Sequence, residues 1–107
     1  MQVNITSRHI EIPDTLKELL ESKAGKLERF GHQLISLHAI FGRERYLYTA
    51  ELTLKAKGFV LAGHAKESSD LLTCMEEALM KLKEQLRRRE EKRATRLRHE
   101  ARHRSAK

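Results

Sequence analysis

Tyr48-Thr49-Ala50-Glu51-Leu52-Thr53-Leu54-Lys55-Ala56-Lys57 alternates without a break. Tyr48, Ala50, Leu52, Leu54 and Ala56 fall on one side, and Thr49, Glu51, Thr53, Lys55 and Lys57 on the other. A period of two with one apolar side marks a strand that buries one face and wets the other. Such a sheet needs a covering layer, and the flanking sequence supplies it. Upstream, Leu34 to Phe41 is apolar and β-branched, a second strand, with Gly42-Arg43-Glu44-Arg45 predicted as the turn between the two. Downstream, Lys57-Gly58 turns into a strand from Phe59 to about Lys66, and Val3 and Ile5 alternate with polar neighbours near the start of the chain.

Two helices fit between and after these strands. Pro13-Asp14-Thr15 opens the first, with Thr15 and Glu18 spaced as a capping box. Leu16, Leu20, Ala24 and Leu27 then share one helical face, flanked by Leu19 and Phe30. Gly31 is placed as the C′ residue, and Lys26 and Arg29 suit the negative end of the helix dipole. Gly25 inside the helix costs roughly 1 kcal/mol against Ala, and close approach to the sheet is the expected reason for it. Ser68-Ser69-Asp70 caps the second helix, whose stripe is Leu71, Met75, Ala78, Leu82 and Leu86. The predicted order is β-α-β-β-β-α: an α+β fold with a four-stranded, mostly antiparallel sheet and both helices packed on one face.

Charge divides the chain differently. Arg87 to Lys107 holds ten Lys/Arg against three acids, while residues 1–86 hold twelve of each, so the net charge of +7 sits wholly in the last stretch. A neutral body with a cationic end suits a polyanion, and phosphate backbones are the commonest. We therefore read residues 1–88 as a body and 89–107 as an arginine-rich tail. Extending the apolar stripe beyond Leu86 reaches Arg89, Arg93 and Arg96, with Lys92 beside them, so the chain must leave the body there. Beyond it the segment either projects as a helix or orders only on a partner. On the first helix Lys23, Lys26 and Arg29 recur every three residues along one flank, a second basic element in the same small module. Two basic helical elements fit a phosphate groove. The few aromatics (Phe30, Phe41, Tyr46, Tyr48 and Phe59) make a poor platform for stacked single strands, so folded RNA is the favoured ligand.

Other chemistries find little support. His99-Glu100-Ala101-Arg102-His103 spells H-E-x-x-H, yet no core lies behind it, nothing downstream offers a third ligand, and neighbouring arginines repel a dication. It reads as a chance match, and no metal or cofactor is expected. The five glycines form neither a phosphate-binding loop nor a dinucleotide fingerprint, and no nucleophile elbow occurs. Cys74, on the second helix, reads as a buried inert thiol, and His9, His32, His38 and His64 are scattered singly. We expect no enzyme and no small-molecule substrate. No apolar run approaches the roughly 18–20 residues that span a bilayer, and the first residues lack a secretory pattern. With a single cysteine, this fits a cytoplasmic protein without a membrane role.

Met1-Gln2-Val3-Asn4-Ile5-Thr6, Glu11-Ile12, Lys26-Leu27-Glu28-Arg29-Phe30, Ser69-Asp70-Leu71 and Lys81-Leu82-Lys83-Glu84-Gln85-Leu86 occur in an order and spacing that resembles the short ribosome hibernation promoting factor / ribosome-associated inhibitor family, also called sigma-54 modulation proteins. The resemblance runs from Met1 to about Arg88. It implies a fold similar to double-stranded-RNA-binding domains and binding to 16S rRNA of the 30S subunit, in the decoding channel. There it implies exclusion of mRNA and tRNA and inhibition of translation in stress or stationary phase, on 70S or 100S ribosomes. Basic family positions on the two helices map to Lys23, Lys26 and Arg29, and to Lys81, Arg87 and Arg88. With the tail's Arg89, Lys92, Arg93 and Arg96, these are the candidate RNA-binding residues. The sequence departs from the family pattern at Asp70-Leu71-Leu72, which lacks the usual tyrosine, and at Glu84, where an arginine is usual. A general structured-RNA-binding module and a sigma-factor or transcription modulator are the alternative readings.

Overall fold

The computed structural model describes the backbone of residues 1–30, 33–68 and 70–105, and the side chains of 1–30, 33–65 and 70–90. Strand β1 (Gln2–Arg8) leads to helix α1 (Asp14–Lys26), which tightens into a 3₁₀ turn (Leu27–Phe30). Strands β2 (Leu34–Glu44), β3 (Leu47–Ala56) and β4 (Phe59–Ser68) follow, and helix α2 (Leu71–Ser105) ends the fold. The sheet order is β1-β2-β3-β4. β1 runs parallel to β2, and the other two pairs are antiparallel. The β-α-β-β-β-α order read from the sequence is the observed one.

The alternation in β3 does what its period requires. Ala50, Leu52, Leu54 and Ala56 are buried, while Glu51 and Lys55 are exposed on the opposite face. Leu37, Ala39 and Phe41 from β2 and Ala65 from β4 join them, and α1 (Leu16, Leu20, Ala24) and α2 (Met75, Ala78, Leu82, Leu86) close the same core. Both helices therefore cover one side of the sheet. The other side stays polar; Thr6 Oγ1 and His38 Nε2 lie 3.0 Å apart there in a hydrogen bond. Cys74 is fully buried and donates its S–H to the carbonyls of Tyr48 and Ala65, at 3.5 and 3.4 Å. Burial first, then the neighbouring Glu77 carboxylate, pushes the thiol pKa up, and Lys81 offsets this in part. A protonated, enclosed sulfur of this kind is a packing residue.

Four local expectations are corrected. The capping box does not form: the N-cap of α1 is Pro13, in extended geometry, and no side chain caps the end. The Pro13 carbonyl instead accepts from Leu16 and Lys17 N–H at 3.1 and 3.2 Å, which places Thr15 inside the helix. The first helix also stops being α-helical at Lys26, because the 3₁₀ turn carries Leu27 into the core and leaves Phe30 against it. Gly31 lies outside the described residues.

The predicted turn at Gly42–Arg45 is the third. β2 runs on to Glu44, and the reversal is Arg45-Tyr46, with Arg45 at φ 59°. Gly42 is a strand residue, paired between Arg8 and Thr49. A Cβ there would meet Thr49 Oγ1 at 3.0 Å. The glycine serves a close cross-strand approach, not a turn.

Gly25 is the fourth. It is exposed, and a Cβ built on it meets nothing within 4 Å, so no sheet presses against it. Close approach belongs to Gly63 on β4, where a Cβ would come within 2.6 Å of the Ala78 carbonyl of α2. Gly25→Ala is accordingly expected to stabilise the protein by about 0.5–1 kcal/mol, since it improves helix propensity at no steric cost. Thermal unfolding checks this: an unchanged or lowered midpoint would contradict it.

The second helix begins as expected from its cap. Asp70 Oδ1 accepts the Leu72 N–H at 3.3 Å, and its Oδ2 accepts the Thr73 hydroxyl at 2.9 Å. Ser69 lies outside the described residues. Past Leu86 the backbone stays helical to Ser105, which favours the projecting-helix alternative over an unstructured tail. Nineteen residues at 1.5 Å each carry it about 28 Å beyond the core, and the molecule is accordingly long, 62 × 24 × 18 Å. No helix among the described residues is long and apolar enough to cross a membrane.

Candidate nucleic-acid interface

Helix packing decides which cations meet. The C-terminal half of α1, the 3₁₀ turn and the middle of α2 enclose a groove of about 430 Å³. Lys23, Lys26 and Arg29, the basic flank read from the sequence, form one rim. Lys83 of α2 stands on the other, with Glu76. Leu27 and Leu79 line the groove as buried apolar residues, and Phe30 and Met80 add partly and largely exposed apolar surface. Lys23 Nζ reaches across to Glu76 Oε1 at 3.9 Å, with both side chains partly exposed. A pair so long and wet contributes little stability, on the order of 0–1 kcal/mol, and is free to exchange partners.

The positions predicted on α2 separate onto different flanks. Arg87 is exposed and follows Met80 and Lys83 at helical spacing, so it continues the groove side along α2. Lys81 lies on the opposite flank: its ammonium donates to the His64 carbonyl of β4, and Gln85 donates to the Ala62 carbonyl at 2.8 Å. β4 is an edge of the sheet, and these two side chains cover its outward carbonyls as edge strands require. Arg88 is held by Glu84 at 3.0 Å, one turn earlier. Glu84 thus pairs within the helix. Arg89 lies over the Phe59 ring, 3.9 Å from its centre, a cation–π contact that pins α2 to the start of β4. Lys92, Arg93 and Arg96 lie on the helical backbone, but their side chains are outside those described.

Sequence reasoning assigned no role to Lys83. Its signal was the stripe Glu76-Met80-Lys83-Arg87, spaced by four, three and four residues and clear of the buried face. The placement separates two neighbouring lysines functionally. If the groove is the phosphate-facing side, Lys83→Ala should weaken RNA binding about threefold or more, as loss of one phosphate contact does. Lys81→Ala should change it less than Lys83→Ala, because that ammonium is already engaged. Equilibrium binding of the two variants to a structured RNA distinguishes them, and a larger loss from Lys81→Ala would contradict the assignment. Among the described residues, no cluster of His, Cys, Asp and Glu is arranged to hold a metal ion; His99, Glu100 and His103 lie outside the described side chains.

Known proteins share this architecture. The chain superposes on the N-terminal domain of Protein Y from Thermus thermophilus with a TM-score of 0.74 and 21% identity, covering 82% of this chain and 98% of that one. A ribosomal subunit interface protein from Coxiella burnetii gives 0.70 and 25%, covering 82% and 96%. In sequence, the ribosome hibernation promoting factor of Escherichia coli K12 is 28% identical over 92 residues, 86% of this chain and 96% of that protein. The protein of the same name from Azotobacter vinelandii is 30% identical over 92 residues, 86% of this chain and 85% of its own length. Residues 3–94 match the family described as Sigma 54 modulation protein / S30EA ribosomal protein. A match over most of the body and the root of the basic arm leaves one assignment: the chain belongs to the Sigma 54 modulation protein / S30EA ribosomal protein family.

Proposed function

We propose that this chain is a ribosome hibernation factor that binds 16S rRNA on the small ribosomal subunit and inhibits translation without catalysing a reaction. The observation that carries the reading is the groove: cations of both helices stand on one side of a neutral body, and that side runs on through Arg87 into the basic arm. The names of the relatives and the family support the ribosome as partner. The body, residues 1–88, supplies Lys23, Lys26, Arg29, Lys83 and Arg87; the arm, residues 89–107, adds Lys92, Arg93 and Arg96. Lys81, Arg88 and Arg89 are engaged elsewhere, with the β4 edge, Glu84 and Phe59, and take part only once those partners yield.

The mechanism is steric. Phosphate contacts fix the module on folded RNA without reading sequence, and a body tens of ångströms long, seated in the decoding channel, excludes mRNA and tRNA. The site of action is the cytoplasm, on 70S or 100S ribosomes during stress or stationary phase. Co-sedimentation with purified 30S subunits tests the reading, together with an in vitro translation assay. Binding with loss of peptide synthesis is expected. A chain that stays at the top of the gradient and leaves synthesis unaltered would refute it.

A further inference from the structure

The groove holds more than phosphate binding requires. Met80 is 66% exposed, whereas most other apolar side chains among the described residues of α2 are buried, and Phe30 lies only partly buried beside it. A thioether and a phenyl ring give nothing to a phosphate, but they suit the face of a nucleobase. Glu76 is equally out of place at a purely phosphate-binding rim, since a carboxylate repels the ligand. Its two oxygens are acceptors only, and they would meet the edge of a base instead. Guanine alone among the common bases presents two adjacent N–H donors, N1–H and N2–H, to such a pair. The groove volume of about 430 Å³ falls within the range of about 300–1,000 Å³ for small-ligand sites.

We propose that this groove seats one extrahelical nucleotide of the bound RNA, guanine by preference. The base lies on Phe30 and Met80, its Watson–Crick edge meets Glu76, and the flanking phosphates are held by Lys23, Lys26, Arg29 and Lys83. The proposal rests on the RNA-binding reading and adds base selection to it. An acidic amphipathic peptide is the competing occupant. RNA is favoured because the rim cations do not stop at the groove: Lys83 is followed by Arg87 on the same stripe, toward the arginine-rich arm. A phosphate chain lying along α2 passes the groove and uses all of them.

The test is equilibrium binding of the full chain to matched RNA hairpins: one with a single bulged guanosine, one with a bulged uridine, one abasic at the bulge and one fully paired. The guanosine hairpin should bind about tenfold more tightly than the abasic and paired ones, the size expected for stacking one base. Met80→Ser should bring it to the abasic level, and Glu76→Gln should narrow the gap between guanosine and uridine. Equal affinity for all four, with RNA binding retained, overturns the pocket and leaves the RNA-binding reading standing. Binding to none overturns the pocket too, and 30S co-sedimentation then shows whether the wider reading falls with it. A glutamate-rich amphipathic peptide that outcompetes the guanosine hairpin overturns the proposal in favour of a protein partner.

Discussion

Replacing Lys23 and Lys26 together by glutamate is expected to weaken binding to the small ribosomal subunit by about 100-fold or more at physiological salt. Each lysine lost removes a phosphate contact, and each glutamate gained adds repulsion on the rim of the groove. The effect exceeds that of any single α2 cation because both residues stand on the same rim. Folding should survive. Lys26 is exposed and Lys23 partly so, and the Lys23–Glu76 pair at 3.9 Å is a weak contributor. The reversal does place two acids in the last turn of α1, which opposes the helix dipole by roughly 0.3–1 kcal/mol each. The neutral variant Lys23→Gln/Lys26→Gln separates the two effects: about a tenfold loss of affinity with a near-native melting midpoint. Full affinity in the charge-reversed protein would remove this surface from the account.

Ending the chain after Glu90 is the second large perturbation, and stability and binding should part company. Leu86 is the last fully buried side chain among the described residues of α2, and Arg89 still packs on Phe59 at 3.9 Å. The cut therefore leaves the core and that contact intact, and the melting midpoint should move by less than the equivalent of about 1 kcal/mol. Seven cations and two acids leave with the removed segment. Affinity for the 30S subunit should fall by about 10- to 100-fold at low salt, and the salt dependence should become shallower. A collapse in thermal stability would show that the arm packs on the body. Unchanged affinity would show that it takes no part in binding.

Much of this architecture was legible because the strongest signals are local. The alternation from Tyr48 to Lys57 fixed β3 and its buried face, and the Leu16-Leu20-Ala24-Leu27 stripe found the first helix. What local pattern misread were residues whose reason lies across the fold. Gly42 looks like a turn, but it is a strand glycine that admits Arg8 and Thr49 on either side. Gly25 looked like a point of close approach, and Gly63 holds that role, because which glycine faces a helix depends on how β4 meets α2. Thr15 had the spacing of a cap, yet Pro13 starts the helix two residues earlier.

The candidate site divides along the same line. The period-three flank Lys23, Lys26, Arg29 is a property of one helix and could be read directly. On α2 the spacing separates Lys81 from Lys83, two residues apart, but does not say which of the two flanks faces α1. Only the packing shows that Lys83 rims the groove while Lys81 is bound to the edge of β4. The arginines of the arm were legible as charge, and their helical backbone follows from the structure.

The most direct measurement is the affinity of the full chain for purified 30S subunits as a function of potassium chloride. If helix and arm cations neutralise about six phosphates, the logarithm of the binding constant should fall against the logarithm of salt with a slope of roughly −4 to −5. A flat response, or no binding at physiological ionic strength, would contradict the claim that lysines and arginines hold this module on ribosomal RNA.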